Sequence, residues 1–269
     1  MVNRPTALSL VAALALSGCA TATATATDDS ACEFAFVAVT TDWADDVTEY
    51  DLVLLDARLR PGRQLTDDGL SGNPDVSPDG TRIAFTNARG YPPGNDSGIS
   101  SKSGISVIDV SGANERRLTR DHYDNGAQWS PDGTRIAFTR FQVGGLRQLL
   151  LLDPNTGATT LAHEGGIADF QWWSDQEIGM AIYAVDGLSR QYVLDLATGA
   201  LSPVDLPPDV DAASVLWSPD RTRVAFTRQP SGTYDRDARP TLQVHDLTTG
   251  EEHTVPGSNT LQNWPLLWT

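Results

Sequence analysis

The chain has 269 residues, a formal net charge of −16, two cysteines and seven tryptophans, and 40% of it is hydrophobic. That makes one large domain or two small ones with enough apolar content for a core, so wholesale disorder is excluded. The acidic balance excludes a nucleic-acid binder, whose affinity rests on Lys and Arg at phosphates. Two cysteines exclude a small disulfide scaffold.

Residues 1–18 read as a secretory signal. Arg4 supplies a short positive region, and Ala7 to Leu16 is an apolar run interrupted only by Ser9. The run is too short to span a bilayer, which takes about 20 residues. It ends in Leu16-Ser17-Gly18-Cys19, which resembles the bacterial lipobox. The resemblance implies cleavage before Cys19 and lipidation of its thiol, with several acyl chains giving stable attachment to a membrane. Residues 19–32 then form an Ala/Thr-rich tether ahead of a domain at 33–269. Cys32 is left without a partner and is expected to pack as a small hydrophobe.

Within that domain the sequence repeats. Val76 to Thr86, Trp129 to Arg140 and Trp217 to Arg228 nearly superimpose on Trp-Ser-Pro-Asp-Gly-Thr-Arg-Ile-Ala-Phe-Thr-Arg, and Trp173 to Tyr183 is a decayed copy. Their serines, Ser77, Ser130, Ser174 and Ser218, are 53, 44 and 44 residues apart, a period that suits a four-stranded propeller blade. Ser-Pro-Asp-Gly is a turn, since Pro fixes the second position and Gly accepts a left-handed conformation. Arg-Ile-Ala-Phe-Thr predicts a strand, and a further strand follows in each copy at Ile105–Val110, Gln148–Asp153, Tyr192–Leu196 and Leu242–Leu247. A short polar outer strand, such as Arg116 to Thr119, completes each unit. No helical period appears outside the signal.

The first unit supplies Phe34–Thr40, Asp51–Asp56 and Arg63–Thr66 but no inner strand, while Pro265–Thr269 resembles Ser214–Ser218 without a unit to follow it. The expected fold is therefore all-β: a five-bladed β-propeller of four-stranded antiparallel blades, closed by the C-terminal strand completing the first blade.

The Trp-Ser-Pro-Asp-Gly-Thr-Arg-Ile-Ala-Phe units, followed by Ile105-Ser-Val-Ile-Asp109 and Arg116-Arg-Leu-Thr119, resemble the repeats of the TolB family of propellers, a WD-repeat-like architecture. They are also similar to repeats in the propellers of prolyl oligopeptidase-type enzymes. The resemblance implies the fold and leaves function open.

Ser77, Asp79, Ser130, Asp132, Ser218 and Asp220 are expected to satisfy backbone groups in their own turns, and Trp129, Trp173, Trp217 and Trp268 to pack between blades. Enzyme signatures are missing: no Gly-x-Ser-x-Gly elbow, no zincin histidine pair around His163, no glycine-rich phosphate loop. His122, His245 and His253 are scattered. Asp75 and Asp169, beside inner strands, are the carboxylates that a glycosidase would need to bring together.

The long connections between strands two and three, and between blades, carry aromatics among acids: Trp43, Asp45, Asp46, Tyr91, Asp121, His122, Tyr123, Asp124, Tyr234 and Asp235. Such loops on a rigid scaffold suit a protein or cell-envelope partner, a basic peptide or a cationic ligand. No cofactor is expected; Asp121 to Asp124 and Asp235 to Asp237 offer oxygen ligands for a structural Ca²⁺, though neither matches an EF-hand loop. The reading is a monomeric, lipid-anchored, extracytoplasmic bacterial propeller acting as a protein-binding or scaffolding module. The alternative is a surface enzyme or carbohydrate-binding protein with its site at the central channel mouth.

Overall fold

A computed structural model describes residues 7–9, 36–42, 49–55, 61–88, 102–120, 123–142, 145–228 and 241–256. These residues form five four-stranded sheets. Sheet one contains β1 (Ala7–Ser9), β2 (Phe36–Asp42), β3 (Glu49–Leu55) and β4 (Pro61–Gln64). Sheet two is β5 (Ser71–Val76), β6 (Arg82–Asn87), β7 (Gly104–Asp109) and β8 (Arg116–Arg117). Sheet three is β9 (Tyr123–Trp129), β10 (Ile136–Phe141), β11 (Arg147–Leu152) and β12 (Thr159–Gly165). Sheet four is β13 (Ile167–Ser174), β14 (Glu177–Tyr183), β15 (Ser189–Asp195) and β16 (Leu201–Val204). Sheet five is β17 (Leu216–Trp217), β18 (Arg223–Arg228), β19 (Thr241–Asp246) and β20 (Glu252–Thr254). Strands run in sequence order across each sheet, and the pairings are antiparallel, as the repeat predicts.

One edge differs from expectation. The strand beside β2 is Ala7–Ser9, whose residues pair with Val39 to Thr41. It occupies the place assigned from sequence to Pro265–Thr269, which lies outside the described residues. An apolar segment with an extended backbone satisfies an exposed strand edge as readily as the C-terminal one would.

The chain divides into two compact units, the first covering Met1–Gly165 with Trp172–Gln176 and the second covering Gly166–Gln171 with Glu177–Thr269. In the first unit the repeat strand is buried on both faces. Ile83 and Phe85 of β6 pack with Leu52, Val76 and Ile108, whereas Ala84 joins Ile105, Val107, Ala127, Trp129, Ile136, Phe138, Leu150 and Leu152. This two-sided packing explains why Ile-Ala-Phe is a continuous apolar run, since sheet two is covered by sheet one on one face and by sheet three on the other. Two parallel bridges, Tyr50–Leu70 and Ser103–Tyr123, lie 53 residues apart and stitch each sheet to the start of the next. In the second unit Ile178, Met180, Leu194 and Val224 are fully buried. Among the described residues no helix is long and apolar enough to cross a membrane.

Candidate functional site

The repeated turns are self-contained. In the first, the Ser77 hydroxyl donates to Asp79 at 2.6 Å, and the Asp79 carboxylate accepts the Thr81 N–H and hydroxyl at 3.0 and 2.8 Å. The Arg82 N–H then closes on the Ser77 oxygen at 2.9 Å. The same bonds recur around Asp132 and Asp220. Donation from Ser and Thr holds Asp79 and Asp132 below the usual carboxylate range and Asp220 at about 2. A second turn type repeats at the outer hairpins. There Asp153, Asp195 and Asp246 each accept two successive backbone N–H groups; backbone donors chiefly lower the pKa of Asp153 and Asp195, and the Thr248 hydroxyl, with the backbone donors, lowers that of Asp246. These carboxylates are committed to backbone donors, as expected for the Ser-Pro-Asp-Gly turns.

The arginine of the repeat reaches the following sheet. The Arg82 guanidinium lies 4.6 Å from the centroid of the Trp129 ring, and Arg135 lies 5.4 Å from that of Trp172. The Trp172 indole N–H donates to the Gln128 carbonyl at 3.0 Å. Tryptophan here packs sheets together, with a cation–π contribution of about 0.5–2 kcal/mol per stack.

Of the residues proposed from sequence for binding, Tyr123 and Asp124 are described. Trp43, Asp45, Asp46, Tyr91, Asp121, His122, Tyr234 and Asp235 lie outside the described residues, as do Cys19, Cys32 and Trp268. Tyr123 opens β9 and is partly exposed. Asp124 is fully buried, and both its oxygens accept from Arg140, at 2.6 and 2.9 Å. The two carboxylates considered for glycoside chemistry stand in separate units. Asp75 accepts the Trp129 N–H at 2.6 Å, and the exposed Asp169 accepts the Phe170 N–H at 2.9 Å. His163 is partly buried and its pKa lies below the ordinary value through desolvation; His253 is exposed beside Glu251 at 3.6 Å. Among the described residues no three His, Cys, Asp or Glu side chains group as a metal site.

A recurring exposed feature lies outside the core periodicity of the strands. The connection from β10 to β11 reads Phe141-Gln-Val-Gly-Gly-Leu146, and that from β14 to β15 reads Tyr183-Ala-Val-Asp-Gly-Leu188, at an offset of 42 residues. The two share their backbone bonds. Gln142 N–H donates to the Leu146 carbonyl and Gly145 N–H to Gln142, just as Ala184 donates to Leu188 and Gly187 to Ala184. Gly145 and Gly187 both have positive φ, 94° and 87°, which favours glycine. Phe141, Leu146 and Tyr183 are about half exposed and Val185 wholly so. Each of these tips lies at the strand-two-to-three end of its own sheet, and in sheet three that is also the end where Tyr123 pairs with Phe141. Apolar side chains that recur at exposed positions are not explained by core packing. The signal was present as the aromatic-x-Val-x-Gly-Leu repeat.

No family model matches the chain. A TolB homologue of Chlorobium chlorochromatii (strain CaD3) is 33% identical over 135 residues, which is 48% of this chain and 30% of that protein. The crystal structure of TolB from Acinetobacter baumannii is similar at a TM-score of 0.55 and 20% identity, covering 80% of this chain and 50% of that one. Uncomplexed acylaminoacyl peptidase from Pyrococcus horikoshii is similar at a TM-score of 0.55 and 14% identity, covering 83% of this chain and 37% of that one. This chain thus spans half or less of the length of each.

Proposed function

From the premise that this chain is a TolB-like β-propeller protein in repeat and in fold, we propose that it is a lipid-anchored module of the bacterial cell envelope. It binds a protein partner through the strand-two-to-three ends of its sheets. The observation that carries this reading is the pair of hairpin tips, which hold aromatic and aliphatic side chains in solvent on short, hydrogen-bonded turns. Exposed aromatics flanking hydrogen-bonded turns supply contact area at small entropic cost. The acid-rich connections between sheets add charge to the same ends and favour a partner with basic side chains.

The lipobox at Leu16 to Cys19 supports the anchor. Cleavage before Cys19 removes Ala7–Ser9, so in the mature protein the edge of β2 is open to Pro265–Thr269, and the five sheets close as blades of one propeller. The repeat turns hold their acids against backbone, which supports a binding role over a catalytic one.

The test is purification of the tagged, full chain from native membranes after crosslinking. Wild type should yield an N-terminal peptide with acylated Cys19 and a crosslinked envelope protein. Cys19→Ala should lose the acyl group and leave the membrane fraction. An unmodified Cys19 in wild type, or membrane retention of the variant, would remove the anchor from the account.

A further inference from the structure

Asp75 holds the next-to-last position of β5. The 53- and 44-residue spacings place Gln128, Trp172 and Leu216 at the same position of the other inner strands, so this copy alone carries a carboxyl there. Asp75 lies across from Ala84 within sheet two, and its Oδ2 accepts the Trp129 backbone N–H from sheet three at 2.6 Å. The contact lies inside the first unit, where the Trp129 ring is itself covered by Arg82. Among the described residues Asp75 forms no ion pair.

We infer that the second and third sheets are joined by a protonation-dependent clasp, in which the Asp75 carboxyl accepts the Trp129 N–H across the junction and the fold is more stable with that carboxyl neutral. Asp75 is partly exposed, but its carboxyl lies largely withdrawn from water at the sheet junction; with one N–H donor and no cation it is better satisfied uncharged, because one hydrogen bond does not replace the lost hydration of a full charge. Burial accordingly pushes Asp75 up to about 6 against the opposing effect of the Trp129 N–H.

The elements packed against β5 leave this balance intact. β2 ends in Asp42 and β3 begins at Glu49, at the end where Tyr50 bridges Leu70. That is five residues before Asp75, or roughly 16 Å along a strand. Asp51 of β3 is occupied by the Thr66 hydroxyl and the Asp68 and Gly69 N–H groups. On β9, Asp124 is taken by Arg140. Arg82 of β6 is directed to the Trp129 ring and acts electrostatically on Asp79.

The sign follows. A carboxyl raised in the fold contributes stability that is complete below its unfolded value of 3.8 and is lost as pH rises through about 6. Thermal and denaturant unfolding of the full chain at pH 5.0 and 7.5 tests this. Asp75 alone should shift the wild-type unfolding equilibrium about tenfold toward the unfolded state on going to pH 7.5. Asp75→Asn, which keeps an acceptor for Trp129, should melt above wild type at pH 7.5 and close to it at pH 5.0. Asp75→Ser should show the same flattened pH dependence at a lower overall stability, whereas Asp75→Glu should keep the slope. His163 titrates with the opposite sign but is common to all four proteins and cancels in the comparison. If Asp75→Asn and Asp75→Ser both retain the wild-type slope, the clasp is overturned.

Discussion

Asp124 and Arg140 form a two-pronged ion pair, Oδ1 to Nε at 2.6 Å and Oδ2 to Nη2 at 2.9 Å, with the carboxylate wholly buried. They face each other across β9 and β10. The repeat places Ser71 and Asn87 at the same positions of sheet two, where the Asn87 amide donates to the Ser71 hydroxyl at 3.2 Å. One structural position is therefore filled by a neutral pair in one sheet, where both side chains also donate to the Asp68 carboxylate, and by a charged pair in the next.

The comparison predicts a rescue. Asp124→Ser leaves Arg140 buried without its partner and should cost about 3–5 kcal/mol, the usual cost of breaking a buried pair from one side. Asp124→Ser with Arg140→Asn recreates the arrangement of sheet two and should recover most of that loss. A double-mutant cycle by urea unfolding measures it; additive losses would show that the two residues act separately.

Arg221 replaces the glycine of the repeat turn and has φ of 59°, where Gly80 and Gly133 have 71° and 69°. A side chain in this left-handed region costs about 1–2 kcal/mol. Its ion pair with Glu177 is long, at 4.0 Å, and partly exposed, so it contributes little. Arg221→Gly should therefore raise the melting temperature, by an amount set by roughly 1 kcal/mol. A lower melting temperature would mean that the side chain, rather than the backbone, governs this turn.

Acid should unfold the protein through its turns. The carboxylates of Asp79, Asp132, Asp153, Asp195, Asp220 and Asp246 are all lowered in the fold by hydroxyl and backbone donors. A lowered carboxyl gives stability that is present above its unfolded value and is lost as pH falls through its folded one. Stability should drop below pH 4 and continue to fall toward pH 2, where Asp220 and Asp246 titrate. Circular dichroism against pH checks this, and replacing Asp132 by Asn should move the transition to higher pH. An unmoved transition would detach the turns from acid stability.

How far the sequence carries depends on the range of each interaction. The Ser-Pro-Asp-Gly turn is built within six residues, so its bonds could be anticipated from Ser77 to Arg82 alone. The strands followed because Ile-Ala-Phe must be covered on both faces. Asp124 was grouped with the loop acids of residues 121–124 because its partner Arg140 is 16 residues away and nothing local marks the pair. The edge of β2 was open to two apolar segments of similar pattern, Ala7–Ser9 and Pro265–Thr269, and pattern alone does not rank them. The hairpin tips show at Phe141 and Tyr183 as a 42-residue repeat, which core periodicity does not mark because its apolar side chains are exposed.

The central claim is that the strand-two-to-three ends of the sheets meet a protein partner. Photo-crosslinking amino acids placed singly at Phe141 and Tyr183, and at Thr134 and Thr248 in the opposite turns, test it in intact cells. Adducts to an envelope protein from Phe141 and Tyr183, with none from Thr134 or Thr248, are the predicted result. Adducts from the Thr134 and Thr248 turns alone, or no protein adduct from any position, would contradict the account.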